Sequence, residues 1–179
     1  MNKDFDFFKM FKKELKEAII GDYLSLKVLF NNETPYCCAL VTDSDASTIF
    51  FAINTIERYN DKINKVGEKY KAYYKWTPAE WAYGDHLSNQ KMVSNVSNIL
   101  SKKIEEKEVK DNYSNFEISL YECMTEVLKE LLEEEKYFKD MIVFISISDD
   151  KRAKAVENYS AKIINSENIY NSFIKRYEE

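Results

Sequence analysis

Glycine is what this chain lacks. Its 179 residues hold three, Gly21, Gly67 and Gly84, and they lie far apart. At the usual share of about 7%, a chain of this length would carry roughly a dozen. No GxGxxG, GxxxxGK or GxSxG loop can be written from glycines so placed. The phosphate-cradling turns of nucleotide-binding folds and the nucleophile elbow are therefore excluded. The single histidine, His86, excludes HExxH zinc sites and histidine-rich metal centres as well. What remains is an aromatic-rich globular domain, 45% hydrophobic and 15% aromatic against 32% charged, which is not the composition of a disordered chain.

At roughly 100–200 residues per domain, one domain over 1–179 is expected. The net charge of −5 argues against general nucleic-acid binding, where a basic face supplies most of the affinity. Cys37, Cys38 and Cys123 do not make a disulfide framework and read as buried or half-buried thiols in a reducing cytosol. On a strand, Cys37 and Cys38 would face opposite sides. The N-terminal residues mix charges through an apolar pattern, unlike a signal peptide. The longest apolar run, Met141–Ile147, is far shorter than the ~20 residues of a spanning helix. A cytoplasmic protein with no membrane partner and no cofactor is expected. Its wealth of Lys, Asn, Ile and Tyr fits an AT-rich bacterial genome.

Phe5, Phe8, Phe11 or Lys12, Leu15, Ala18 and Ile19 recur at helical spacing and predict an amphipathic helix over 4–20, with 23–30 open between strand and helix extension. Its lysines are balanced by acids, which favours docking on the core over a membrane surface. Tyr36–Thr42 and Thr48–Ile53 flank a polar turn at 43–47 and predict a hairpin. The Asp43-Ser44-Asp45 run lacks the glycine and closing glutamate of a calcium loop. Asn54 and Glu57 form a capping box for a helix over 55–65. Alternation over 70–76 predicts a strand with Lys71 and Lys75 on its solvated side, and Lys62, Lys65 and Lys69 add to a tyrosine-interleaved basic stretch. Apolar stripes predict helices from Met92 to Ile104 and from Phe116 to Leu131. Met141–Ile147 predicts a central strand buried on both faces. Asp149 and Asp150 can cap a helix to about Tyr159, and Asn165 can cap the last one, with Ile169, Phe173 and Tyr177 inward. The whole reads as α+β: a mainly antiparallel sheet of three to five strands packed with five to seven helices.

The segment Tyr73–His86 is the most specific. Thr77 is placed as an N-cap, Pro78 at the first helical position, and Glu80 three residues on to close a capping box. Trp76 and Trp81 fit a hydrophobic staple over that cap. The plain reading is a structural corner clamped by two indoles. The functional reading builds a binding surface on the same corner from Trp76, Glu80, Trp81, Tyr83, Asp85 and His86, with Tyr83, Asp85 and His86 at its exposed end. His86 beside Asp85 or Glu80, or near a cysteine, is a candidate general base, although a lone histidine in a polar turn is more commonly solvated. No residue is assigned a catalytic or metal-binding role. Glu130, Glu133, Glu134 and Glu135 end the long helix as a solvated acidic face or as a surface for a basic partner.

Three stretches together resemble the bacterial domain-of-unknown-function family 4303: the hairpin Cys37–Thr55, the corner Lys75–Gly84 (KWTPAEWAYG), and the tail Val143–Asn165. They span most of the chain in the expected order. Where the family has glycines at the end of the long helix, this sequence has Glu134, Glu135, Lys136 and Lys139. The resemblance implies a small cytoplasmic α+β protein of undefined activity, and it brings no catalytic residue with it. Families of this size and style often sit near polymorphic-toxin genes as immunity proteins, so the resemblance suggests that role by association of kind.

The absence of catalytic loops, with abundant aromatics and an acidic surface, makes a non-enzymatic protein-binding module, immunity-like or regulatory, the leading expectation. The alternative is a small-ligand sensor or enzyme with a pocket beside the Trp76–Trp81 corner. A purely structural domain is the third. A concave site at the corner separates the second from the others.

Overall fold

Two runs of β-branched and aromatic residues form the expected hairpin. Strand β1 (Pro35–Thr42) pairs antiparallel with β2 (Ile49–Thr55), Leu40 opposite Phe51 and Thr42 opposite Ile49. The molecule is described by a computed structural model that covers residues 3–178, with side chains from residue 6. Asp43 closes the hairpin turn by accepting from the Ser47 backbone N–H (2.7 Å), the Ser47 hydroxyl (2.6 Å) and the Thr48 hydroxyl (2.8 Å). Burial opposes ionisation of Asp43, yet the bonds from Ser47 and Thr48 hold its carboxyl below the ordinary value.

Strand β4 (Ile142–Ile147) joins the other side of β1 in parallel, Cys38 opposite Val143, and the short β3 (Tyr83–Gly84) joins β2 antiparallel. The order is β3-β2-β1-β4. The α+β expectation is met, and the sheet is mixed, with two antiparallel pairings and one parallel. Strand β4 is buried as expected but lies at the edge of the sheet, not at its centre.

Eight α-helices accompany the sheet among the described residues, where five to seven are expected; the short α3 and α5 make up the excess. They are α1 (Lys3–Lys27), α2 (Ile56–Val66), α3 (Lys71–Trp76), α4 (Met92–Ile104), α5 (Lys107–Asp111), α6 (Tyr113–Glu134), α7 (Ala153–Ile164) and α8 (Glu167–Phe173). Helix α1 runs through the open stretch after residue 20 because its buried stripe of Phe11, Leu15, Ala18 and Ile19 continues at the same spacing to Tyr23 and Leu26. The expectation for Phe5 lies outside the described side chains. One face of the sheet packs with Cys38, Leu40, Phe51 and Ile145 against α1, α4 and α6. The other packs Cys37, Ala39, Val41 and Phe144 against Trp76, Trp81, Ala161 and Phe173. The adjacent cysteines do face opposite cores, and burial pushes both thiols well up.

Side chains bond backbone groups along β4 and along the part of β2 that β3 leaves unpaired, where an intruding strand would otherwise add. Along β4, Asn165 accepts from the Val143 N–H and donates to its carbonyl, and Ser160 accepts from the Ile145 N–H. Asn165 is therefore an edge-binding residue rather than a cap, and the position before α8 is Ser166, with no side-chain cap bond. Along β2, where β3 pairs only two residues, Asp85 accepts from the Phe51 N–H and Ser97 from the Ile49 N–H.

Local expectations that fail do so for identifiable reasons. The cap of α2 is Thr55, which accepts from the Arg58 N–H; Asn54 is the last residue but one of β2, and Glu57 instead accepts from the Thr34 N–H. Residues 71–76 are helical, not a strand. The same residues read as period two also place Ala72 and Trp76 one helical turn apart, and β3 already holds the outer edge of β2. Helix α4 takes its cap from another element: Asp22 of α1, fully buried, accepts from the Met92 and Val93 N–H groups. The acidic end of α6 has partners inside the chain. Lys12 reaches Glu126 and Glu130, and Lys16 reaches Glu130 and Glu134, all at 2.7–2.9 Å. Hydrogen bonds from Lys12 and Lys16 hold the Glu130 carboxyl below its ordinary range.

Candidate functional site

The corner is built by a proline. The residue before a proline is disfavoured in the α region, and Thr77, extended at φ −99° and ψ 103°, ends α3 at Trp76. Pro78 then starts a three-residue 3₁₀ turn to Glu80. The expected capping box does not form. The Glu80 N–H, which a capping hydroxyl would accept, is already donated to the Thr77 carbonyl (3.0 Å). The Glu80 carboxylate turns to the Tyr73 hydroxyl (3.1 Å), with Lys62 at 3.8 Å.

Trp76 and Trp81 are both buried, at 5% and 7% exposure, as the clamped corner requires. They do not staple each other across a helix, because Trp81 follows the turn in extended conformation. Trp76 meets Phe173 edge-on at 5.4 Å, Trp81 meets Phe144 edge-on at 5.9 Å, and Phe144 and Phe173 touch at 4.8 Å. The Trp81 indole donates to the Lys75 carbonyl (3.2 Å), which also accepts from Tyr36 (3.0 Å).

The stretch after the corner is not an exposed end. Tyr83 is buried, accepts from Arg58 Nε (3.0 Å) and donates to Glu33 (2.9 Å). Asp85 is buried, its two oxygens occupied by the Phe51 N–H and the Ser94 hydroxyl. Only His86 is exposed. Neither Asp85 nor a buried cysteine is free to orient it as a base, and burial pushes the Cys123 thiol up to about 12. The predicted site residues thus divide: Trp76 faces one cavity, Glu80 a second, and His86 neighbours the exposed Leu87 at the edge of a third.

The largest of these, about 420 Å³, opens at the carboxyl ends of the parallel pair β1 and β4, and Trp76, Pro78, Ser146, Asp149, Glu157 and Tyr177 help to line it. Small-molecule sites span roughly 300–1,000 Å³, and open sheets with parallel strands hold ligands beyond those strands' carboxyl ends. Beneath it lies a buried polar network. Ser146 donates to Glu157 (2.7 Å), Arg176 donates to the other Glu157 oxygen (2.7 Å), and Arg176 also reaches Asn158 (2.6 Å) and the Phe173 carbonyl (3.1 Å). Arg176 is 1% exposed and lies over the Phe173 ring at 4.0 Å. Two buried donors at Phe173, the Trp76 indole N–H and Arg176 Nε, have no acceptor among the described residues. The second cavity, about 230 Å³, gathers Arg58, Lys62, Lys65 and Tyr74, and there Arg58 is paired with Glu33.

The rim of the larger cavity is a turn. Asp149 has φ 53°, a left-handed conformation that aspartate tolerates. Its exposed carboxylate makes no hydrogen bond or ion pair among the described residues. Asp150, expected as a cap, accepts instead from the Arg152 N–H and guanidinium, which holds its carboxyl at about 2. Arg152 extends from Asp150 to Glu117 on α6 at 2.9 Å. A depressed carboxyl contributes stability above its ordinary 3.8 and loses it as pH falls towards about 2. Stepwise urea denaturation across that window should show a steeper loss for the wild type than for Asp150→Asn. Equal slopes would remove this turn from the acid response.

Ser146, Asp149, Glu157 and Arg176 escape sequence reading as site residues. A signal was present for two of them. Ser146 is the polar interruption of an apolar strand, and Glu157 shares the buried face of α7 with Ser160, Ala161 and Ile164. Among the described residues no group of three or more His, Cys, Asp or Glu side chains is placed to hold a metal, and no helix is long and apolar enough to cross a membrane. No curated protein and no solved structure matches the chain. A family match runs over residues 15–166, which takes in every residue lining the larger cavity except Tyr177, and by it the chain belongs to the family described as Domain of unknown function (DUF4303).

Proposed function

We propose that this chain is a non-catalytic small-ligand-binding module, with its site in the cavity at the carboxyl ends of β1 and β4. The observation that carries this reading is a cavity of small-molecule size, about 420 Å³, at the carboxyl ends of the parallel pair, walled by Trp76 and Tyr177 and rimmed by the carboxylate of Asp149, unpaired among the described residues. Binding is favoured over catalysis because both oxygens of Glu157 are engaged, by Ser146 and by Arg176. The Ser146 proton already points at this carboxylate, whose charge is held by Arg176 at 2.7 Å and is not free to act on a substrate. A thermal-shift screen of polar small molecules tests it. At about 100 times its Kd, a bound ligand adds about 2.7 kcal/mol to stability. Ala79→Trp, at an exposed position lining the cavity, should leave the melt within about 0.5 kcal/mol and abolish the shift. A shift that survives this blocking variant would place the ligand elsewhere.

A protein partner is the second reading, and the immunity-like or regulatory role belongs to it. Leu24, Val28, Leu29 and Leu87 line a shallow groove beside His86, with Val28 73% exposed. Apolar patches of this kind mark interaction surfaces. If this reading holds, a single stable partner recovered from the native host is lost with Val28→Glu while the fold is kept.

A further inference from the structure

We infer that this chain pairs with a second copy of itself through the groove between α6 and α7. The inference is independent of the cavity, which α7 faces with Ala153 and Glu157, while Ala155, Val156 and Tyr159 face the groove. Ile118, Tyr121 and Glu122 of α6 form its other wall, and it encloses about 270 Å³. Ile118 is 54% exposed and Tyr159 56%. Exposed apolar side chains gathered between two helices mark an interaction surface. The walls are already set. Arg152, at the start of α7, donates to Glu117 on α6 (2.9 Å), and the Tyr121 hydroxyl donates to the same carboxylate (2.8 Å), so docking need not first order them.

Charge decides what covers the groove. From Tyr113 to Leu128, α6 carries no lysine or arginine; Glu122 and Glu126 are its exposed charges there, and Glu126 also reaches Lys12. Helix α7 is the reverse. Its exposed charges are Lys154, which lies over Tyr177 at 5.6 Å, and Lys162, and its only carboxylate, Glu157, is buried. A two-fold axis along the groove lays α6 of each copy over α7 of the other, so acid meets base on both sides and the contact is made twice. An axis across the helices would set α6 on α6, acid on acid, and the same charges turn it away. A foreign partner would need the same pattern reversed; a second copy, turned about this axis, already carries it. At 1.5 Å per residue, α7 is about 18 Å long. A face of that length and two helices wide falls short of a permanent dimer's interface, so the pairing is reversible.

Light scattering on the full chain, from dilute solution to about 1 mM, reads the mass. The wild type should pass from monomer to dimer as concentration rises. Ile118→Asp and Tyr159→Asp, exposed changes on different helices, should each weaken pairing at least about tenfold while melting like the wild type. Glu122→Lys should do the same, and so should Lys154→Glu with Lys162→Glu in one chain. Mixed in equal amounts, these two charge-reversed proteins should pair more tightly than either does alone, because each offers what the other lacks. A wild type still monomeric at about 1 mM overturns the inference and leaves the groove to a foreign partner. A dimer that ignores Ile118→Asp and Glu122→Lys uses another face, and overturns it as well. A mixture that pairs no more tightly than its components overturns the charge-matched axis along the groove.

Discussion

Replacing Arg176 with alanine is expected to cost about 3–5 kcal/mol, the penalty of leaving a buried charge without its partner. Stability for a domain is about 5–15 kcal/mol in all, so a large fraction is at stake. The charge left behind is Glu157, itself buried, which would keep only the Ser146 hydroxyl at 2.7 Å. Removing both charges together, as Arg176→Met with Glu157→Leu, should restore much of the loss, because apolar pairs of similar volume replace buried ion pairs at little cost. Guanidinium denaturation of the two single variants and the double provides the comparison. A double variant as unstable as Arg176→Ala would show that packing of the guanidinium on Phe173, at 4.0 Å, outweighs the charge pair.

The second large effect belongs to the corner. Trp76→Ala and Trp81→Ala should each cost about 3–5 kcal/mol, the range for emptying an aromatic site in a core. The indoles reach one another through Phe173 and Phe144, so the double variant should depart from additivity, by an interaction energy of about 0.5–3 kcal/mol. The phenylalanine substitutions separate the two indoles further. Trp81→Phe removes a hydrogen bond to the Lys75 carbonyl, whereas Trp76→Phe removes a donor with no acceptor. The first should therefore be the more damaging by about 1 kcal/mol. A Trp76→Ala protein that melts like the wild type would sink the idea that the second face of the sheet has a core of its own.

The expected inward placing of Tyr177 shows how a periodicity argument can fail by a single residue. Ile169 and Phe173 are four apart, and continuing the α-helical step puts Tyr177 inward. Yet α8 ends at Phe173. The chain beyond it tightens into i→i+3 bonds, from the Lys175 N–H to Ser172 and from the Arg176 N–H to Phe173. At three residues per turn, the position facing inward after 173 is 176. Arg176 is buried and Tyr177 is exposed. The same limit explains Tyr83 and Asp85, which follow a polar turn and read as solvated. Asp85 is drawn in because β3 is two residues long and leaves the Phe51 N–H in need of an acceptor.

From its sequence alone, the chain determines what short-range periodicity controls. The hairpin, α4, α6 and the apolar strand β4 follow from alternating or stripe patterns, as do the opposed burial of Cys37 and Cys38 and the membership of an α+β class. These are set by neighbours within about one turn or one strand. Tertiary structure alone decides the parallel seating of β4 beside β1, whose partners Cys38 and Val143 are brought together from distant parts of the chain. It also decides the cavity that this seating creates. Trp76, Ser146 and Glu157 come from α3, β4 and α7, and the Arg176 beneath them from the turn after α8. Burying a charged arginine is tolerable only where a carboxylate and a hydroxyl meet it in three dimensions, and no spacing along the chain encodes that meeting.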